Sequence, residues 1–112
     1  MKRASLPLFL VSAIAALTLL ASSAFAASVC LDPGHGGSDS GATGNGQLEK
    51  TNNLNTMAKF KVWLDKDTAD GGGGGSWSVY RTRSTDIYVS LSGRTTYANN
   101  LGVNRFMSFH NN

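Results

Sequence analysis

Along the chain, stretches of apolar residues alternate with glycine-rich and polar ones, and the spacing within each stretch predicts an element. Ser28 to Asp32 is a short apolar run bounded by Pro33 and glycines, the pattern of a strand feeding a loop. From Pro33 to Gly46 glycines recur so often that no core can form, but the backbone can bend sharply around a ligand. Between Thr51 and about Asp67, Leu54, Met57, Ala58, Val62 and Trp63 or Leu64 recur at helical spacing, with Lys59, Lys61 and Lys66 free for the opposite face. Gly71 to Gly75 is a connector without side chains to pack. Trp77 to Thr82 alternates like a second strand. Ser90 can cap a second helix presenting Leu91, Thr95, Ala98 and Leu101, although Gly93 falls where a capping box places Glu or Gln. Arg105 to His110, with Phe106, Met107 and Phe109, predicts a third strand. Strand, helix, strand, helix, strand is the order of an α/β fold with a mostly parallel, twisted sheet flanked by helices, in which ligands collect beyond the carboxyl ends of the strands.

Ahead of these elements lies a different kind of segment. Lys2 and Arg3 precede an uncharged stretch from Ala4 to Ala26, rich in Leu, Ala, Ile and Val, that ends in Ala24-Phe25-Ala26 with Ala27 following. A basic start, an apolar middle and small residues at the end form the layout of a secretory signal peptide. An uncleaved membrane anchor is the alternative, because the stretch is long enough to span a bilayer; Pro7 and the small-residue end favour cleavage. Residues 1–26 are therefore expected to be a signal peptide and 27–112 the folded part, with no membrane span once the signal is removed. Export to the periplasm, cell wall or exterior follows.

Setting aside Lys2 and Arg3 leaves eight basic against seven acidic residues, a net charge of +1 in place of +3. The basic balance of the whole chain belongs mostly to its leader. No dense basic patch with interleaved aromatics remains, which argues against nucleic acid as a partner. Cys30 is the only cysteine, so it forms no internal disulfide. Its place within the first apolar run reads as a small core thiol. Lipid attachment is the competing role, and Val29 is a poor residue immediately before a lipidated cysteine.

The chemistry concentrates in three residues. His35 lies in Asp32-Pro33-Gly34-His35-Gly36-Gly37, Glu49 is the only glutamate, and His110 is the only other histidine. Two imidazoles and a carboxylate are zinc ligands, and three protein ligands leave the fourth position open, as in catalytic sites. His35 follows the first predicted strand, His110 ends the third, and Glu49 stands before the first helix. All three can thus reach one edge of the sheet. The glycine loop lacks the Gly-Lys-Ser/Thr ending of a P-loop and the Gly-x-Gly-x-x-Gly register, so nucleotide binding is not expected. Arg83 and Arg94 could contact substrate carboxylates, or form ion pairs with Asp86, or cover the surface.

These residues carry a family resemblance. Leu31-Asp32-Pro33-Gly34-His35-Gly36-Gly37, with Asp39 and Gly41-Ala42, resembles the first motif of the zinc-dependent N-acetylmuramoyl-L-alanine amidases of the third amidase type, which cleave peptidoglycan. Glu49-Lys50 with Asn53-Leu54 resembles the second. Thr82-Arg83 with Asp86, Leu91, Arg94 and Ala98-Asn99 resembles the middle of that domain, and Ser108-Phe109-His110 with Asn112 the third metal motif. The resemblance runs from about Val29 to the last residue. It implies that His35, Glu49 and His110 bind zinc, that peptidoglycan is the partner, and that the reaction is hydrolysis of the amide between N-acetylmuramic acid and L-alanine. It also implies a second glutamate, after the third metal motif, as general base. The chain carries no such residue.

That departure leads to the expectation that the chain is the amino-terminal part of an amidase domain, truncated after about three strands and two helices, with an open strand edge, a third ligand near a fraying end and little activity of its own. A non-catalytic peptidoglycan-binding or regulatory module is the alternative. Another zinc hydrolase of wall peptides, such as a carboxypeptidase, is a further one.

Overall fold

The computed structural model describes residues 26–72 and 75–111, so residues 1–25 of the expected signal peptide, Gly73, Gly74 and Asn112 lie outside the described residues. The elements run β1 (Ala27–Pro33), β2 (Thr43–Gly44), β3 (Gln47–Leu48), α1 (Glu49–Ala69), β4 (Trp77–Arg81), α2 (Leu91–Leu101) and β5 (Arg105–Phe109). Three of the strands form a parallel sheet in the order β4-β1-β5. Val29 stands beside Val79 on one side and Arg105 on the other. The expected α/β fold with a parallel sheet and two helices is what forms.

Being central, β1 is covered on both faces, as the middle strand of a parallel sheet must be. Side chains alternate across a strand, so Val29 and Leu31 point one way and Cys30 and Asp32 the other, and all four are buried. Val29 and Leu31 meet Met57 of α1, with Leu54, Phe60, Leu64, Trp77, Val79 and Phe109 packed around them. Cys30 is a fully buried free thiol, as read from its surroundings. Burial, then the nearby negative charge of Asp32, pushes its pKa up to about 11.

Helix α1 is longer than its apolar spacing predicts, and it is rotated. Its sheet-facing stripe runs Glu49, Asn53, Met57, Phe60 and Leu64, whereas Ala58 is exposed and Val62 and Trp63 are 51% and 68% exposed. The stripe begins with two buried polar residues, which a search for apolar periodicity passes over. Trp63 instead lies outside, with the Lys66 ammonium 5.0 Å from its ring centroid. The carboxyl end of α1 is tied to β4: Trp77 donates its indole N–H to Asp67 and its backbone N–H to Thr68 Oγ1.

Ser90 caps α2 as expected, accepting the Gly93 N–H at 3.1 Å. The expected apolar face does not hold, however. Leu91 is 84% exposed and Thr95 and Leu101 are exposed, while Arg94 and Ala98 are the buried residues of the helix. The helix is oriented by a buried ion pair through Arg94.

The glycine loop contains a small hairpin that its composition hides. Strands β2 and β3 pair antiparallel, with Thr43 opposite Leu48, across Asn45-Gly46. Both turn residues have positive φ, 50° and 73°, the backbone of a type I′ turn. The Asn-Gly pair was the available signal for it. Folding back this way brings the carbonyls of Ala42 and Ser40 to the first N–H groups of α1, at Glu49 and Lys50. That satisfies donors a helix start leaves free, where Leu48 offers no side-chain cap.

Candidate metal centre

Three elements deliver the three candidate ligands to the carboxyl end of the parallel sheet. His35 follows β1, Glu49 is the first residue of α1 and His110 follows β5. Their ligand atoms all lie within 4.8 Å of one another. His35 Nε2 is 3.2 Å from Glu49 Oε2, and His110 Nδ1 is 3.0 Å from Glu49 Oε1. The two imidazoles meet edge to face, with centroids 4.9 Å apart. The carboxylate thus stands between two rings.

Glu49 is buried, and a buried carboxylate persists as an anion only when hydrogen bonds stabilise it. The Ala42 N–H donates to Oε2 at 2.8 Å and the Asn111 N–H to Oε1 at 3.1 Å. The Ala42 bond, helped by Asn111 and His110, outweighs burial and draws the Glu49 pKa down to about 2. Glu49 is therefore an ionised acceptor at any physiological pH. It also lies in the first turn of α1, where the helix dipole favours a negative charge.

His35 has a φ of 60°, unusual for a residue with a side chain. Strain of this kind persists where the surroundings over-determine the backbone. Here Arg94 Nη2 donates to the His35 carbonyl at 2.8 Å while Asp39 Oδ2 lies 2.8 Å from His35 Nδ1. Asp39 therefore fixes the ring so that Nε2 faces Glu49. The hydrogen bond from His35, then the Gly41 N–H, holds the Asp39 carboxyl below its usual range.

Glycines make the space. A Cβ at Gly34 would fall 2.3 Å from His110 Cε1, and one at Gly41 would fall 2.5 Å from His35 Cδ2 and 2.7 Å from Glu49 Oε2. Gly41 also has a φ of 63°. Methyl groups at these two points would push the ligand side chains aside.

Beneath the triad lies a buried polar scaffold. Asp32 Oδ1 accepts from Thr82 Oγ1 at 2.7 Å and from Arg94 Nη1 at 2.8 Å, while its Oδ2 accepts from Ser108 Oγ at 2.8 Å. Burial alone would raise the Asp32 pKa, but those three partners hold it below the usual carboxylate range. Arg94 also donates to the Pro33 and Val89 carbonyls. Arg83, equally buried, donates to the carbonyls of Pro33, Gly34, Lys50 and Thr85. Burial, then the charge of Arg94, lowers its pKa. Neither arginine is a surface residue, and neither pairs with Asp86. Asp86 instead receives Lys50 Nζ and the Gly37 N–H, both at 2.8 Å. The guanidinium groups grip the carbonyls of the ligand loop, a role that sequence could not assign because the partners lie up to 62 residues apart.

The donor set fits zinc: two imidazoles and one carboxylate, gathered within reach of a single ion and with glycines keeping the space beside them clear. Asp39 on the far nitrogen of His35 matches the carboxylate that commonly orients a ligating histidine.

A parallel α/β sheet carrying a His–Glu–His cluster at its carboxyl end defines the class of protein. The sequence profile of the N-acetylmuramoyl-L-alanine amidases matches residues 29–112, and the chain belongs to that family. The chain is 43% identical over 84 residues to the sporulation-specific N-acetylmuramoyl-L-alanine amidase of Bacillus subtilis (strain 168), a match covering 75% of this chain and 31% of that protein. It is 42% identical over 86 residues to a probable cell wall amidase, LytH, of Staphylococcus epidermidis, covering 74% of this chain and 25% of the relative. Among solved structures, the catalytic domain of CwlV, an N-acetylmuramoyl-L-alanine amidase from Bacillus (Paenibacillus) polymyxa var. colistinus, superposes with a TM-score of 0.68 at 36% identity. That superposition covers 77% of this chain and 45% of CwlV. The chain spans less than a third of the curated relatives it matches.

Proposed function

We propose that this chain supplies the zinc-binding part of an exported peptidoglycan hydrolase that cleaves the amide between N-acetylmuramic acid and L-alanine, with His35, Glu49 and His110 as the zinc ligands. The gathering of those three side chains within 4.8 Å carries the reading. Family membership supplies the substrate class. Residues 1–26 act as the export signal and 27–112 as the amino-terminal part of the amidase domain. Among the described residues no helix is long and apolar enough to cross a membrane.

Zinc held by the triad would act as a Lewis acid on the scissile carbonyl and make water acidic enough to lose a proton near neutral pH. The residues of the chain do the rest by position. Asp39 fixes the His35 ring with Nε2 on the Glu49 side, where it would hold the ion. Glu49, ionised and held by two backbone N–H groups, brings the negative charge that two neutral imidazoles lack. The Asp32–Arg94 pair holds the loop on which His35 rides. Proton transfer to the leaving amine needs a group other than Glu49, which this reading commits to the metal. A module that binds peptidoglycan without turning it over is the second reading.

The test is zinc titration of the chain followed by incubation with purified peptidoglycan, with the appearance of L-alanine-bearing peptides as the readout. Zinc bound one to one, and lost in His35→Ala and His110→Ala, is expected. Peptide release abolished by a chelator, from this chain or from a longer chain that contains it, identifies the amidase; retention on peptidoglycan without release from either identifies the binding module, and a chain that takes up no zinc sinks both.

A further inference from the structure

Three consecutive residues of the ligand loop have positive φ: His35 at 60°, Gly36 at 130° and Gly37 at 57°. Glycine adopts such a backbone freely, but His35 carries a side chain, so its conformation has to be held from outside. The bonds that hold the loop can be followed peptide by peptide. Arg94 donates to the His35 carbonyl, and Gly36 and Asp39 exchange two backbone bonds. Both polar groups of Gly37 are taken by distant side chains: Asp86 Oδ1 accepts its N–H and Lys50 Nζ donates to its carbonyl, each at 2.8 Å. Those two side chains then close on each other, Lys50 Nζ donating to Asp86 Oδ2 at 2.8 Å. Lys50 is oddly placed for any other purpose. It is the second residue of α1, where the helix dipole disfavours a cation, and its side chain is only 14% exposed, although lysine ordinarily extends into water.

Resting on the reading of His35 and Glu49 as zinc ligands, we propose that Lys50 and Asp86 are a pair of positioning residues, a clasp that closes on the Gly37 peptide and keeps His35 in its left-handed backbone. Lys50 directly follows Glu49, so the clasp ties the loop that carries the first ligand to the helix start that carries the second. It thereby fixes the approach of His35 Nε2 to Glu49 Oε2, 3.2 Å apart. The loop is also pressed against the segment that bears Asp86. A Cβ at Gly36 would run into the Ile87 carbonyl, and one at Gly37 would fall 2.5 Å from the Tyr88 nitrogen. Charge alone makes a different prediction. The ammonium of Lys50 repels a dication and the carboxylate of Asp86 attracts it, so removing them would move zinc affinity in opposite directions. Opening a clasp moves it in one direction whichever half is removed.

The test is calorimetric zinc titration of the full chain, paired with the carbon shifts and backbone couplings of His35 in the metal-free chain, which report its φ. Lys50→Met and Asp86→Ala are each expected to weaken zinc binding about tenfold. The double variant should lose no more than either single one, because both open the same clasp. In each, the His35 backbone should move toward negative φ. Lys61→Met, which breaks an ion pair of the same kind with Asp65 further along α1, should leave both readouts unchanged. Tighter zinc binding by Lys50→Met, losses that add in the double variant, or an unmoved His35 backbone would each overturn the clasp. Should Asp86→Ala fail to fold, the sign of the Lys50→Met effect and its His35 couplings decide alone. A parent chain that takes up no zinc discards the metal reading, and the metal-free couplings still decide the clasp.

Discussion

The two faces of β1 bury their residues by opposite means. Toward α1, Val29 and Leu31 are covered by Met57 and a ring of partly buried apolar side chains. At the carboxyl end and on the other face, Asp32, Glu49, Asn53, Arg83 and Arg94 are just as buried but polar. Apolar burial is non-directional and tolerates a shift of a side chain, whereas each bond of the polar set specifies an atom and a direction. Both regions contribute to stability, but only the second sets the ligand geometry. Asn53 shows the cost of the second arrangement: it donates to the Gly34 carbonyl, while its own Oδ1 is buried without a partner among the described residues.

Substitutions should separate the two regions. The largest effect is expected from Arg94→Ala, which leaves Asp32 buried beside only Thr82 and Ser108 and releases the His35 and Val89 carbonyls. A loss of about 3–5 kcal/mol in denaturant unfolding is expected, together with weaker zinc uptake by the molecules that remain folded. Arg94→Lys should restore little of it, because one ammonium cannot reach the four carbonyl and carboxylate acceptors of the guanidinium. Full rescue by lysine would show that charge, not the fork, holds the loop.

Leu31→Ala is the matching cut in the apolar region. It should cost about 2–5 kcal/mol, yet leave the zinc dissociation constant of the folded chain unchanged in a calorimetric titration. A parallel loss of affinity would erase the distinction between the regions. Asp39→Asn should do the reverse, weakening zinc binding about 10–100-fold while moving the unfolding midpoint little, since Asp39 is an exposed residue.

Acid should act through the polar region first. Asp32 has a folded pKa below its ordinary value of 3.8, so its contribution is complete above that value and is lost as pH falls through the lower one. Glu49, drawn from 4.5 down to about 2, acts in the same direction, so unfolding followed downward from neutral pH should show stability beginning to fall as pH nears 4.5, with Asp32→Asn removing only part of the fall. The smallest expected effect concerns Cys30. Buried, with its pKa raised to about 11, it should react with a thiol reagent at pH 8 only as fast as the chain opens. Rapid labelling under native conditions would mean that the face of β1 carrying Cys30 and Asp32 is not closed.

Much of this arrangement can be read from the residues, and what cannot shares a physical reason. The strands β1, β4 and β5 follow from apolar runs bounded by breakers, and Ser90 as a cap follows from its type and place. Rotation of α1 does not, because its inner stripe starts with Glu49 and Asn53, whose burial comes from hydrogen bonds to the loop and not from apolarity. Nor does the exposure of Leu91, since α2 is set by the reach of Arg94 to Asp32 across 62 residues of sequence. The hairpin was legible in Asn45-Gly46 and is easily passed over in a loop so rich in glycine.

The residues alone were enough for the order of the three main strands and two helices, the parallel α/β class, the identity of the three candidate ligands and the family. Local spacing and residue chemistry carry that much, because strand, helix and motif are properties of short segments. Tertiary structure was needed to see that Asp39 orients His35, that Arg83 and Arg94 are buried braces of the ligand loop, and that Glu49 stands between the two imidazoles. Those relations join positions far apart in the chain. They exist only after the parallel sheet has brought the carboxyl ends of β1 and β5 to the start of α1.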